Sequence, residues 1–179
     1  MNDTNPSQAT LRLLETADDA AYRKLWVEAL TSHGQFLRTS LLDEVTQGIS
    51  TAFTSDSFTL GAFRDGALVG ITSLRRDSLE RLRHKALLFR MFVHPGASGH
   101  GIGKLLVREL LVRAEAVGDL RQIYLTVLAT NERAQRLYAS MGFRGYANEP
   151  DAVQIGSSFV AESQMVRFLR RGERKADLT

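Results

Sequence analysis

A glycine-rich run in the middle of the chain is the feature of the sequence most clearly suited to chemistry. It directly precedes an amphipathic segment and reads Ser98-Gly99-His100-Gly101-Ile102-Gly103-Lys104. Glycine lets a backbone approach a ligand closely, and the first turn of a helix leaves amide N–H groups free to bind an anion. The run therefore predicts a binding site for a phosphate or pyrophosphate group.

Two common phosphate-binding motifs do not fit this run. A P-loop requires glycine at the position of Ser98 and a Ser or Thr at the position of Leu105. A dinucleotide-binding fingerprint requires a third glycine where the chain has Lys104. A nucleotide-binding dehydrogenase is therefore kept only as a lower-ranked alternative function, and it predicts that the protein binds NAD.

A second motif follows the glycine-rich run. It reads Asn131-Glu132-Arg133-Ala134-Gln135-Arg136-Leu137-Tyr138 and is followed by Gly142-Phe143. The two motifs together resemble the GNAT superfamily of N-acetyltransferases, in a bacterial branch of general acetyltransferases. The family patterns are Gln/Arg-x-x-Gly-x-Gly/Ala and Asn-x-x-Ala-x-x-Leu-Tyr-x-x-x-Gly-Phe, and Ser98 stands where the first pattern has Gln or Arg.

The resemblance implies an α/β protein with the GNAT fold. This fold has a mixed, mostly antiparallel central sheet that is flanked by helices and splayed at its central strand pair. The order of elements in the sequence agrees with it, since apolar periodicity predicts strands and helices in a compatible order. We expect a helix that begins at Thr16 with Asp19 in its capping box, a helix over Leu41–Ala52, and a final strand pair over 152–155 and 159–169.

The resemblance also implies acetyl-CoA as the co-substrate. Backbone groups of the strand that ends at Val93 would face the thioester, the glycine-rich run would bind the pyrophosphate, and Asn131 would contact the pantetheine arm. The implied cofactor-binding residues are Met91, Phe92, Val93, Ser98, Gly99, His100, Gly101, Ile102, Gly103, Lys104, Asn131, Ala134 and Tyr138.

Tyr138 is the candidate catalytic residue that the second motif implies. A phenol with an ordinary pKa near 10 stays protonated at pH 7, so it can donate a proton to a departing thiolate. The matching general base is open. No acidic residue lies on the strand Leu87–Val93, where some family members carry a glutamate, and the sequence does not choose among Glu149, His84, His33 and Glu28.

Composition predicts one domain and excludes several classes of site. At 179 residues with 44% apolar and 24% charged residues, the chain can bury a core of its own. With no Cys and four scattered His, we expect no disulfide, no cysteine nucleophile and no metal site. We expect a disordered tail over 1–9, a single acetyltransferase domain over 10–170 and a basic tail over 171–179.

Charge and hydropathy set the expected partners and location. A net charge of +3 and the lack of aromatic residues among the arginine clusters argue against nucleic-acid binding. No apolar run is long enough to span a membrane and the N-terminus has no signal-peptide pattern, so we expect a cytoplasmic protein. The expected partner is an amine on a small molecule or peptide, and a homodimer stays open. A silent CoA-binding sensor with the same fold is the alternative function.

Overall fold

Seven strands form one sheet in the computed structural model of the protein, which describes residues 9–47 and 56–169. The strands are β1 (Thr10–Leu13), β2 (Phe58–Arg64), β3 (Ala67–Arg76), β4 (Lys85–Val93), β5 (Gln122–Leu128), β6 (Arg144–Ile155) and β7 (Ser158–Phe168). The helices are α1 (Asp19–His33), α2 (Leu41–Gln47), α3 (Ile102–Glu115) and α4 (Glu132–Ser140). Within the described residues, no helix is long and apolar enough to cross a membrane.

The strands lie in the order β1-β2-β3-β4-β5-β7-β6. Every neighbouring pair is antiparallel except β4 and β5, which run parallel. A parallel neighbour needs a crossover connection, and α3 supplies it between these two strands. The mixed, mostly antiparallel sheet that the resemblance implied is confirmed.

Each face of the sheet has its own hydrophobic core. On one face, Leu106 and Leu110 of α3 are fully buried against side chains such as Ile123 of β5. On the other face, Tyr22 and Trp26 of α1 are buried with residues of β3 and β4. The apolar side chains of α3 recur every three or four residues, which is the spacing that places them on one face of a helix. The helices therefore hold the sheet from both sides.

The parallel pair at the centre of the sheet is splayed. β4 and β5 are hydrogen-bonded only near their starts, at the pairs Lys85↔Gln122, Ala86↔Ile123 and Leu87↔Tyr124. Beyond them, within these two described strands, the ends diverge, so backbone groups of β4 on this side are left without a partner strand. A sheet that opens in this way creates a cleft at its centre, as the resemblance implied.

A β-bulge distorts β4 directly before this cleft. Ile71 pairs with Phe92 while Ser73 pairs with Phe89, so β4 carries one more residue than β3 between these pairs. Arg90 lies inside the bulge with φ +50°, in the left-handed region that non-glycine residues seldom adopt. The bulge changes the direction in which the following residues of β4 point, relative to the rest of the strand.

Two expectations about element boundaries differ from the structure. Glu15 and Asp18, not Thr16 and Asp19, form the capping box. The reason is that the Asp18 carboxylate is held by Arg12 of β1 at 2.6 Å while it accepts the Glu15 N–H at 2.8 Å.

α2 is described to Gln47, and the rest of the helix expected over Leu41–Ala52 lies outside the described residues, as do 1–8 and 171–179 of the expected tails. The second difference concerns the last strand pair. β6 begins at Arg144 rather than 152, because it is an edge strand whose first eight residues are exposed and therefore show no apolar alternation.

Candidate functional site

The glycine-rich run forms a loop that leads into the N-terminus of α3. The turn Pro95–Ala97 opens it, and Gly99 and Gly101 adopt left-handed backbone conformations with φ +83° and +73°. A side chain at either glycine would meet no atom within 4 Å, so the loop is open to a ligand on this side. Because the first N–H groups of a helix have no intrahelical partner, the start of α3 at Ile102 presents donors to an anion.

This loop and the free edge of β4 line one cleft of about 600 Å³. The cleft is of a size that small-molecule and cofactor sites have in proteins. Its walls come from four places, namely the end of α1 with the following turn, the end of β4, the glycine-rich loop and the start of α4. The lining includes the predicted residues Met91, Phe92, Val93, Ser98, Gly99, Gly101, Ile102, Gly103, Lys104, Asn131 and Ala134.

Two predicted site residues lie outside this lining. His100 is exposed, and its Nδ1 lies 3.0 Å from the Ser98 carbonyl oxygen, so its ring faces back onto the loop. Tyr138 is buried with 6% of its surface exposed, one helical turn after Ala134 and next to Leu137, which both line the cleft. The side chain of Tyr138 therefore stands directly behind the cleft wall.

Asn131 positions the start of α4. Its Oδ1 accepts the Ala134 N–H at 3.1 Å, which makes it the N-cap of the helix. Gln135, on the next turn, donates from Nε2 to the carbonyl oxygens of Leu128 and Ala129 at 3.3 and 2.9 Å. These bonds fix α4 to the end of β5, and the Nδ2 group of Asn131 remains a donor for a ligand.

The surroundings of Tyr138 keep its phenol protonated. The ring packs edge-on against Phe143, with 5.8 Å between ring centroids. Burial raises the pKa of Tyr138 above its ordinary value because the phenolate would lose its hydration. A phenol in this state can donate a proton or a hydrogen bond at any physiological pH, and it is a poor base.

Arg90 directly precedes the cleft residue Met91 and was not among the residues predicted from the sequence. Its guanidinium binds the buried Glu44 carboxylate through Nη2 at 2.6 Å and Nε at 3.3 Å, and donates to the Tyr22 hydroxyl at 3.0 Å. It also lies over the rings of Trp26 and Phe89. The bulged residue before Met91 is therefore clamped by α1 and α2. A charged residue inside the apolar run of β4 was the signal that could have found it.

The four candidates for the general base are scattered. Glu28 is paired with Nε2 of His94 at 2.9 Å, and His84 lies before β4, where its carbonyl oxygen accepts from the start of β5. His33 lines the cleft beside Phe92, with 5.5 Å between ring centroids, and Glu149 is exposed on β6. Only His33 reaches the cleft lining.

Three aromatic residues differ in their relation to the cleft. Phe36 lines it, Trp26 is buried in the core and Tyr146 is exposed on β6.

Comparison with known families decides the family. The sequence model described as the acetyltransferase (GNAT) family matches residues 13–143, which is most of the chain. The chain belongs to the GNAT family of acetyltransferases. An uncharacterised N-acetyltransferase of Mycobacterium bovis is 33% identical over 110 residues, which cover 62% of this chain and 66% of that relative, just under two thirds of its length.

Solved structures of GNAT proteins share the fold. A GNAT acetyltransferase from Streptococcus pneumoniae has a TM-score of 0.79 at 25% identity, over 91% of this chain and all of that one. A phosphinothricin acetyltransferase from Sinorhizobium meliloti, solved in complex with acetyl-CoA, has a TM-score of 0.78 at 22% identity, over 92% of this chain and 90% of that one. The GNAT fold expected from the two motifs is confirmed.

Proposed function

We propose that this chain transfers an acetyl group from acetyl-CoA to a primary amine of a small molecule or protein, with Tyr138 as general acid. The observation that carries the proposal is that one cleft combines the glycine-rich loop at the start of α3 with the unpaired edge of β4. An anion site and exposed backbone donors in one cleft suit a ligand with a pyrophosphate at one end and a carbonyl at the other.

Three parts of the cleft would hold acetyl-CoA, namely the glycine-rich loop, the start of α4 and the end of β4. The glycine-rich loop offers backbone N–H groups and Lys104 to the pyrophosphate, and the open space beside Gly99 and Gly101 leaves room for it. Asn131 and Ala134 lie along the cleft, where a pantetheine arm would pass. Bound acetyl-CoA supplies an acetyl thioester whose oxygen gains negative charge when an amine attacks.

The end of β4 would stabilise that charge. The residues after the bulge, Met91, Phe92 and Val93, line the cleft and have no partner strand on the cleft side. One of their N–H groups would donate to the thioester oxygen, and an oxyanion donor of this kind is worth about 3 kcal/mol of transition-state stabilisation. Tyr138, behind the wall at Ala134 and Leu137, would donate its proton to the departing thiolate sulfur.

The proposal is tested by binding and turnover together. Acetyl-CoA is titrated by calorimetry, and the release of free thiol is then followed over a panel of amines that includes phosphinothricin, polyamines, amino acids and peptides. Saturable binding with amine-dependent thiol release supports the enzyme. Binding with no release for any amine supports a CoA-binding sensor instead, and NAD binding without CoA binding would support a dehydrogenase.

A further inference from the structure

A buried carboxylate on β7 has no role in the mechanism described so far. Glu162 is 2% exposed, and it forms an ion pair with Arg38, whose Nε lies 3.6 Å from Glu162 Oε1. That separation is longer than a hydrogen bond, and the Arg38 side chain is itself 58% exposed. Burying a carboxylate is costly unless it is well paired, so the position of Glu162 is not explained by stability.

The strand register places Glu162 at the level of the cleft. Leu87 of β4 pairs with Tyr124 of β5, and continuing this offset past the extra residue of the bulge at Arg90 brings Leu128 level with the end of β4, at Met91 and Phe92. Leu128 in turn pairs with Glu162. One row across the sheet therefore runs from the proposed thioester site on β4, over the opening, to Glu162. With strands about 5 Å apart, two strand spacings of about 10 Å or more leave room for an acceptor molecule between them.

Arg38 connects this carboxylate with the cleft wall. It directly follows Leu37, which lines the cleft, and its Nη1 donates to Thr126 Oγ1 at 3.1 Å. Side chains alternate along β7, and Met165 packs in the core with α3, so Glu162 points to the opposite face, where α1 lies. The carboxylate is thus on the α1 side of the splayed strands, away from the α3 side that carries the glycine-rich loop.

We propose that Glu162 is the general base that takes the proton from the acceptor ammonium, an inference that rests on the proposed acetyl transfer. The N–H bond of the ammonium breaks and an O–H bond forms on the Glu162 carboxylate, directly or through one water. The neutral amine then uses its freed lone pair to attack the thioester carbon. As the C–S bond breaks, the departing sulfur takes a proton from Tyr138. The attacking nitrogen then loses its second proton, which restores the Tyr138 phenol through solvent, and the proton on Glu162 also leaves to solvent.

The charges around Glu162 suit this role and predict how it responds to substitution. Burial raises the pKa of Glu162, Arg38 opposes that rise, and Glu149, its register partner on β6, adds to it. Gln164 lies beside Glu149, with Nε2 3.5 Å from Glu149 Oε2, and is neutral. A carboxylate with a raised pKa is a stronger base than an ordinary one.

The first experiment compares Glu162→Gln with Glu162→Asp, using an amine that the panel identifies. For Glu162→Gln we expect kcat to fall about 100-fold or more with an unchanged Kd for acetyl-CoA, and Glu162→Asp to restore part of the rate. Because the raised pKa means that the fold disfavours the charged carboxylate, Glu162→Gln should melt at the same or a higher temperature than wild type, increasingly so as pH rises. Wild-type kcat in Glu162→Gln would overturn the inference, whereas absence of thiol release by wild type would overturn the proposed function first.

The second experiment uses the two neighbouring charges. Removing Arg38 should raise the pKa of Glu162 and move the acidic limb of the kcat profile to higher pH, while removing Glu149 should move it to lower pH. Arg38→Gln and Glu149→Gln are the matched pair, and ¹³C NMR titration of the Glu162 carboxyl reports the same shifts without turnover. Opposite shifts in both measurements support the inference. The inference is overturned if neither variant moves the acidic limb of the kcat profile. It is also overturned if that limb persists in Glu162→Gln and disappears in His33→Gln.

Discussion

Two substitutions at position 101 that differ only by one negative charge test whether the glycine-rich loop binds a phosphate group. Gly101 has φ +73° and precedes the first residue of α3, and a side chain there would meet no atom within 4 Å. Asn and Asp tolerate this conformation better than other side chains and are good N-caps, so Gly101→Asn and Gly101→Asp should both fold. The two variants have nearly the same shape and differ by one charge.

The expected effects of the charge on stability and on binding have opposite signs. Near a helix N-terminus a carboxylate is favourable by about 0.3–1 kcal/mol, so free Gly101→Asp should be at least as stable as Gly101→Asn. For the complex we take about 5 Å as the separation between the carboxylate and a pyrophosphate charge. Repulsion at that distance is about 1–3 kcal/mol for an effective dielectric constant of about 80 to 20, so acetyl-CoA should bind about 5- to 150-fold more weakly to Gly101→Asp.

Calorimetric titration of both variants with acetyl-CoA measures the difference, and higher salt should reduce it by screening. Gly156 is the matched control, because it also has a positive φ of +62° with no atom within 4 Å and lies outside the cleft lining, in the turn between β6 and β7. Gly156→Asp and Gly156→Asn should bind acetyl-CoA equally well. Equal affinity of Gly101→Asp and Gly101→Asn would refute the placement of the pyrophosphate in this loop.

Two further predictions concern the buried groups around the cleft. Tyr138→Phe should lower kcat about 100-fold or more with little change in the Kd for acetyl-CoA, as measured by initial rates and calorimetry, and unchanged kcat would remove Tyr138 from the mechanism. Because burial raises the pKa of Tyr138, wild-type kcat should not fall through ionisation of this phenol as pH rises to about 10. Arg90→Met should destabilise the fold by about 3–5 kcal/mol in urea denaturation, because it leaves the Glu44 carboxylate buried without its cation, and Glu44→Gln in the same background should recover most of that loss. An equal loss in the single and the double variant would show that the loss does not come from the uncompensated Glu44 charge.

The elements whose signals are local could be predicted from the sequence. Gly99 and Gly101 indicate backbone positions that can adopt positive φ values. The apolar spacing of α3 predicts its buried face, and Asn131 predicts the start of a helix. Each of these depends on residues within one or two turns of chain. The family, the fold and most of the cleft lining followed from them.

The features that depend on contacts between distant segments could not be predicted in the same way. The side chain of the bulge residue Arg90 is held by Tyr22 and Glu44, which lie far earlier in the chain. Glu162 becomes notable only when the register of β5, β7 and β6 places it level with the cleft. A charged residue inside an apolar strand marks both positions in the sequence, but it does not tell which partner the residue meets or what it does.

A crystal structure of the protein with acetyl-CoA tests the central claim most directly. The account predicts pyrophosphate oxygens within hydrogen-bond distance of the backbone N–H groups of residues 99–104, and the thioester oxygen beside the backbone of Met91–Val93. A complex whose acetyl-CoA lies elsewhere on the protein, or whose pyrophosphate is bound away from the start of α3, would contradict it.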